Sequence, residues 1–499
     1  MRARFLLILT IFICTAVVRA ESPQRLAEWV VDQGGTVEYE GNDPARAVVR
    51  ARVIELNDKL LDRVAGAFGE LRELEASFSD ATAAGLGRLR NLKRLRGLAL
   101  MSATVDDESM KQIGALAELR SLSLHGNGIT DARLATLGRL VHLENLDLEQ
   151  AELTGAGLAV VKNFPELRSV NLTSAKDLGD EGLRHLRGLG KLRKLSLAKT
   201  AVSDAGMEDV ASLAGLEELS LPQGVGDVGL AKLKGLTHLR VLHLSGPGVS
   251  DQGLAVLDGL GELVELNLSG TKVGDAGLGH VARLTKLQAL SLRGTGVSDA
   301  GIKSLAALSD LRRLDLDETK ITDAAAGALA GFPKLTALSL RGTATGDAAM
   351  GEIAKLGGLE ELDLRGTVVG DRGLASVKGL VKLRKLDLGN TKVTDGGLAS
   401  LAGLSNLGSL SLARVGVSDD GLKHLLNLSQ LSELELRDAK VSDEGIQQLR
   451  KLAPSLRFLE LEGPSLTQAG VAKLQEAMPE TAIGFGKGEE GKDGGAGKP

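Results

Sequence analysis

The sequence predicts an α/β solenoid, a stack of about eighteen short strands each followed by a helical segment. Three observations carry this expectation. A Leu-x-Leu element recurs with a period near 24 residues along most of the chain. Within each period the apolar spacing changes from two to three. Aromatic residues are scarce, with 8 Phe, 1 Trp and 1 Tyr in 499 residues, so the bulk that rings normally give a globular core has to come from Leu.

The second leucine of the element stands at Leu100, Leu124, Leu148, Leu172, Leu197, Leu221, Leu244 and Leu268. It continues at Leu292, Leu316, Leu340, Leu364, Leu388, Leu412, Leu436 and Leu461. Weaker copies lie at Ile54-Glu55-Leu56 and Leu74-Glu75-Ala76. A period of this length identifies a repeat array, in which each unit buries its apolar face against its neighbours. One array therefore replaces the three domains that the length alone suggests.

In the unit that begins at Leu266, Leu266 and Leu268 flank Asn267 as in a short half-buried strand. Leu278, Val281 and Leu284 then recur every three residues on one helical face. Asp275 falls where a helix N-cap or first-turn acid belongs, so the matching aspartates of other units read as caps. One carboxylate per unit is far from the six to eight converging oxygens of a calcium site.

Residues 1–20 read as a secretory signal peptide. Arg2 and Arg4 precede an apolar run from Phe5 to Val18, and Val18-Arg19-Ala20 offers a cleavage site. Cleavage would remove the only cysteine, Cys14, and with it any disulfide or thiolate metal site. Residues 21–48 read as an N-terminal cap. Leu26, Trp29 and Val30 share one face of a short helix, and Val37-Glu38-Tyr39 with Val48 to Leu56 form a hairpin. The single Trp and Tyr are expected to plug the open end of the core. The array with its C-terminal cap is expected over 49–483, ending in a helix over Val471–Met478 and a partial strand at Thr481-Ala482-Ile483. The Gly-rich residues 484–499 are expected to be disordered.

The units resemble the leucine-rich-repeat family. The Thr-x-Val-Ser/Thr-Asp-x-Gly-Leu pattern is most similar to repeats of F-box-associated and secreted bacterial members, over roughly residues 50–480. The resemblance implies a curved leucine-rich-repeat solenoid with a parallel inner β-sheet of about 18 short strands and convex helices. It also implies that ligands bind the concave sheet. The family's ladder asparagine is replaced by Thr271, Thr295, Thr319, Thr343, Thr367 and Thr391, with Asn127 in one unit. A hydroxyl can serve the turn backbone there. No F-box precedes the repeats, so a ubiquitin-ligase role is not carried over.

Enzyme chemistry is not expected, and no catalytic residue, cofactor or metal is assigned. Of the seven His, only His125 and His243 fall on the strand face. At roughly 4.8 Å per strand they stand about 24 Å apart. Gly486-x-x-x-x-Gly491-Lys492 mimics a phosphate loop, but Asp493 takes the Ser/Thr position and no strand or helix flanks it. A formal net charge of −5 argues against a nucleic-acid partner.

What remains is surface. The column between the two strand leucines runs through Asp147, Asn171, Ser196, Ser220, His243, Asn267, Ser291, Asp315, Ser339, Asp363 and Asp387, without Lys or Arg. A second column, two residues before the first leucine, holds Arg72, Arg96, Arg120, Arg193, Arg240, Arg312, Arg384 and Arg457, among others, and should line one rim. The candidate ligand-binding residues are Arg293, Asp315, Asp317, Arg341, Asp363, Arg365 and Asp387. Two accounts fit them: a charge-patterned groove for a ligand, or a solvated ladder of cross-strand ion pairs worth only about 0–1 kcal/mol each. The expected function is an exported, non-enzymatic, monomeric binding scaffold that contacts a protein or peptide through its concave face and rims. A carbohydrate or envelope polymer is the alternative. The expected destination is secreted, periplasmic or cell-surface, without membrane insertion after cleavage.

Overall fold

The structure is a computed structural model, and it describes residues 22–486 apart from 104 and 127. The expected signal peptide, Asn127 and residues 487–499 lie outside the described residues. The chain divides into two compact units, residues 22–152 with 160–167, and residues 153–159 with 168–486.

The first unit opens with helix α1 (Pro23–Asp32), capped by the Ser22 hydroxyl, which accepts the Arg25 N–H. Strand β1 (Thr36–Tyr39) pairs antiparallel with β2 (Val48–Leu56). From β2 onward pairing is parallel, through Glu73–Ser79, Gly97–Leu100, Ser121–Ser123 and Asn145–Asp147. The end plug differs from expectation. Helix α1 buries Leu26, Ala27 and Val30, whereas Trp29 is 36% exposed and Tyr39 is half-buried. Leu26, Ala27 and Val30 form the stripe at i, i+1 and i+4, and Trp29 falls to its flank at 100° per residue. There its ring carries the Arg63 guanidinium 4.2 Å from the centroid, a cation–π contact.

In the second unit every strand from Ser169–Asn171 to Ala482–Phe485 that follows another is paired with it in parallel. The register keeps each leucine column aligned, with Leu242 opposite Leu266, Leu266 opposite Leu290 and Leu290 opposite Leu314. The last strand reaches Phe485, two residues beyond the expected stop. The helical halves are short and mixed. Leu278–Val281 is a single α turn, and Gly253–Gly259 is a 3-10 helix. A spacing of three favours the 3-10 turn, which has three residues per turn.

The core is a continuous set of buried leucines. Leu266, Leu268, Leu278, Val281, Leu284 and Leu287 are all at most 1% exposed. Phe164 and Phe332 are fully buried too, at the turn that precedes a strand, where the unit has room for a ring.

The repeated aspartates do more than start helices. Ser298 is the N-cap of helix Asp299–Ser304, and Asp299 is its first residue. The Asp299 carboxylate, however, serves the next unit: Oδ1 accepts the Thr322 N–H at 2.8 Å and Oδ2 accepts the Thr322 hydroxyl at 2.7 Å. The same double bond joins Asp180 to Ser203, Asp227 to Ser250, Asp275 to Ser298, Asp371 to Thr394, Asp395 to Ser418 and Asp419 to Ser442. Where the donor unit carries Gly in place of Ser or Thr, as at Gly226, Gly274, Gly346 and Gly370, only the N–H bond forms. Repeat-to-repeat cohesion is therefore polar as well as apolar.

The threonine ladder closes each strand on itself. Oγ1 of Thr271, Thr295, Thr343, Thr367 and Thr391 donates to the carbonyl of Leu268, Leu292, Leu340, Leu364 and Leu388 respectively, at 2.6 to 2.7 Å. Thr319 does the same to Leu316 at 2.5 Å.

Candidate functional site on the sheet face of the second unit

The sheet face of the second unit carries a cleft of about 450 Å³. It crosses the strands from Glu265–Asn267 to Lys385–Asp387. Leucine backs it, and side chains of the intervening positions stand on either side. Asp315, Asp317, Asp363 and Asp387 all line it. Arg293, Arg341 and Arg365, expected beside them, do not line it.

The acids are held by the backbone rather than by arginine. Oδ1 of Asp315 accepts the N–H of Asp317 at 3.0 Å, Oδ1 of Asp363 that of Arg365 at 2.8 Å, and Oδ1 of Asp387 that of Gly389 at 2.8 Å. These are Asx turns, in which a short side chain binds the backbone two residues on. Asn171 and Asn267 make the same bond to Thr173 and Ser269. Column members that look like surface polarity in the sequence thus also shape the strand exit. Asp317 accepts the Ser339 hydroxyl and the Arg341 N–H, the latter at 3.1 Å.

Among the described residues, no basic side chain lies within ion-pair distance of these four carboxylates. The expected Asp–Arg ladder does not form on this face. Arg293 turns instead to Glu318 at 2.9 Å. The Arg–Glu pairing occurs on the rim: Arg193 with Glu217 and Arg384 with Glu360 in the second unit, and Arg120 with Glu144 in the first. Arg457 binds carbonyls of Pro454 and Leu456.

Burial pushes the Asp363 carboxyl up to about 6, with Asp387 and Asp317 adding like charge and the Arg365 N–H partly offsetting it. Asp317 is raised as well, again mainly by burial. Unpaired and half-desolvated carboxylates of this kind favour a cation brought from outside.

The hydroxyls of the column are largely spent. Ser291 donates to Asp315 at 2.8 Å, Ser411 donates to Glu435 at 2.8 Å, and Ser339 donates to Asp317. Phe458 is 60% exposed and stands at the far end of the face, beside Glu435 and Glu460.

This architecture defines a repeat-built α/β solenoid of strand and short-helix units with an open sheet face. The chain is a leucine-rich-repeat protein. Leucine-rich-repeat family models match residues 285–344 and, for a second model, residues 235–257, 263–281, 359–377 and 380–402. No curated protein matches the sequence. Among solved structures, the chain is similar to an internalin from Listeria monocytogenes, at 24% identity and TM-score 0.48, over 61% of this chain and 83% of that one. It is also similar to a leucine-rich-repeat protein from Leptospira interrogans, at 21% identity and TM-score 0.43, over 87% and 93% of the two chains. A plant peptide hormone receptor in complex with RGF2 matches at 14% identity and TM-score 0.35, over 89% and 82%. Proteins of this repeat family are usually binding proteins without enzymatic activity.

Proposed function

We propose that the chain is an exported binding scaffold whose second unit holds a protein or peptide along the sheet face. One observation carries the reading. Four carboxylates, Asp315, Asp317, Asp363 and Asp387, line a single cleft, and none of them is ion-paired among the described residues, although Arg313 and Lys385 also line it. A partner that lays Lys or Arg side chains beside these four carboxylates supplies the counter-charge they do not receive from the chain. Aromatic anchors, which usually concentrate binding energy, are missing from the cleft, so contact spreads over several units rather than one hot spot. A carbohydrate partner is less well served, because the serine hydroxyls already serve neighbouring carboxylates. Export rests on the sequence of residues 1–20.

The test is capture from an envelope fraction on immobilised protein, read by mass spectrometry. The comparison is the triple variant Asp315→Asn, Asp363→Asn, Asp387→Asn. Asparagine keeps the Asx acceptor, as Asn171 and Asn267 do, and removes the charge, together with the Asp315 oxygen that accepts the Ser291 hydroxyl. The proposal expects the wild-type partners to be lost from the variant while its melting temperature holds. Equal capture by both would overturn it.

A further inference from the structure

His243 makes two side-chain contacts on the sheet face. Its Nδ1 lies 3.2 Å from Oγ of Ser220, and its Nε2 lies 3.1 Å from Oε1 of Glu265. The three residues come from adjacent parallel strands, Glu218–Ser220, Val241–His243 and Glu265–Asn267. The register sets Ser220 opposite His243 and His243 opposite Asn267. Glu265 lies two residues before Asn267, and a period of two returns it to the same face. Leucines hold the strands from below, since Leu219, Leu242 and Leu266 are each 1% exposed. A serine, an imidazole and a carboxylate thus stand in one hydrogen-bonded line, the arrangement that activates a hydroxyl as a nucleophile.

We propose that Ser220 is a nucleophilic serine, with His243 as its base and Glu265 as the positioning residue, that takes acyl groups from activated carboxylic esters. This goes beyond the binding reading and does not rest on it. In the first step Ser220 Oγ attacks the ester carbonyl carbon and its proton passes to His243 Nδ1. Collapse of the tetrahedral adduct expels the alcohol, which leaves with the proton from His243, and gives acyl-Ser220. In the second step His243 takes a proton from water as the water attacks the acyl carbon. The carboxylic acid leaves and the proton returns to Ser220. Glu265 accepts from Nε2 and stabilises the imidazolium that forms transiently.

The surroundings set the pace. The Leu221 N–H, next to the nucleophile, is spent on the His243 carbonyl at 3.0 Å. It is therefore not free to stabilise an oxyanion, a contribution that is often the largest in acyl transfer. Acylation and deacylation are both slow accordingly. The charged groups near the triad are Glu218, held by Lys194 at 2.7 Å, and Arg313, which stands 3.7 Å from the second oxygen of Glu265.

The experiment labels the full chain with a fluorophosphonate probe and with p-nitrophenyl acetate, and locates adducts by peptide mass spectrometry. The structure provides internal controls. Ser196 and Ser291 occupy the same column, but their hydroxyls meet Thr173 and Asp315 instead of an imidazole. Ser220 is expected to react about a hundredfold faster than either, the lower end of what a positioned base contributes. His243→Gln should bring Ser220 down to the rate of Ser196. Glu265→Gln should slow Ser220 labelling and Glu265→Asp should restore it, with Ser196 and Ser291 unchanged in both. Equal reaction of the three serines, or a Ser220 rate unchanged in His243→Gln, would overturn the proposal. A Ser220 rate unchanged in Glu265→Gln, or one that Glu265→Asp does not restore, would overturn the positioning role. The serine comparison is made within the unmutated protein, so it holds even where a variant unfolds.

Discussion

Asp275 and Ser298 stand one repeat apart and are joined twice. Oδ1 of Asp275 accepts the Ser298 N–H at 2.7 Å, and Oδ2 accepts the Ser298 hydroxyl at 2.6 Å. Ser298 also accepts the Ala300 N–H at 3.3 Å and so starts its own helix. Asp299, the next residue, repeats the double bond to Thr322. The helix start of one unit is therefore fixed by the unit before it. In a solenoid, where each unit touches only its neighbours, such a link adds directly to the interface between two units.

Asp275→Ala leaves a buried-side N–H and a hydroxyl without their acceptor. The expected cost is about 1–3 kcal/mol. Ser298→Ala alone should cost about 1 kcal/mol, the usual loss for a cap. The double variant should cost less than the sum, by about 0.5 kcal/mol or more, because the two residues share a bond. Urea denaturation of the four proteins reads all three values. Strict additivity would show that the two side chains act independently.

The glycine of the Asp-x-Gly-Leu pattern makes room for that carboxylate. A Cβ on Gly277 would stand 2.5 Å from Oδ1 of Asp251 and 3.0 Å from Cδ1 of Leu254. Backbone strain is not the cause, since φ at Gly277 is −65°. Ala325 and Ala349 take the same place in their units and are buried, so one methyl can be absorbed. Gly277→Ala should then change stability by less than about 1 kcal/mol, whereas Gly277→Val should cost about 1–3 kcal/mol by overpacking. Thermal melts distinguish the two.

The threonine ladder predicts a different asymmetry. Thr295 is 5% exposed and donates to the Leu292 carbonyl at 2.6 Å. Thr295→Val keeps the shape but removes the donor, and should cost about 1–2 kcal/mol. Thr295→Ser keeps the donor and should cost less. A reversed order in denaturant midpoints would remove the hydroxyl from the account.

The pH dependence has a defined sign. Asp363 is raised to about 6, above the value of about 3.9 for an unfolded Asp. Between these values the folded chain binds more protons than the unfolded one, so stability falls as pH rises from about 4 to about 6. Asp363→Asn keeps the Oδ1 acceptor for Arg365 and removes the titration. Its stability should vary less over that window and be higher at neutral pH. Identical pH profiles for the two proteins would contradict the burial argument.

Much of the fold was legible because one unit fixes all the others. The spacing of Leu266 and Leu268, once repeated, already determines the register that places Leu242, Leu266, Leu290 and Leu314 in one row. The Asp–Ser/Thr relay was not legible. Asp299 looks like the acid of its own helix, and its true partner Thr322 is 23 residues away. The column acids also conceal their role, because a carboxylate that closes a turn and one that faces solvent look alike in sequence. Charge alternation suggested Asp–Arg pairs on the sheet face, yet the turn N–H groups are nearer to the carboxylates than any guanidinium. Trp29 was misplaced by one helical step. His243 invites comparison with His125, although its partners, Ser220 and Glu265, belong to adjacent strands. The signal that finds them is register: residues one repeat apart in the same column are neighbours in space.

The central claim is that the sheet face of the second unit is where a partner sits. Hydrogen–deuterium exchange with a captured partner bound tests it most directly. The account predicts protection concentrated in peptides spanning residues 265–267 through 385–389, which include Asp315, Asp363 and Asp387, with the helical segments such as Asp299–Ser304 unchanged. Protection confined to the helical segments or to the first unit, with the cleft strands exchanging as in the free protein, would contradict it.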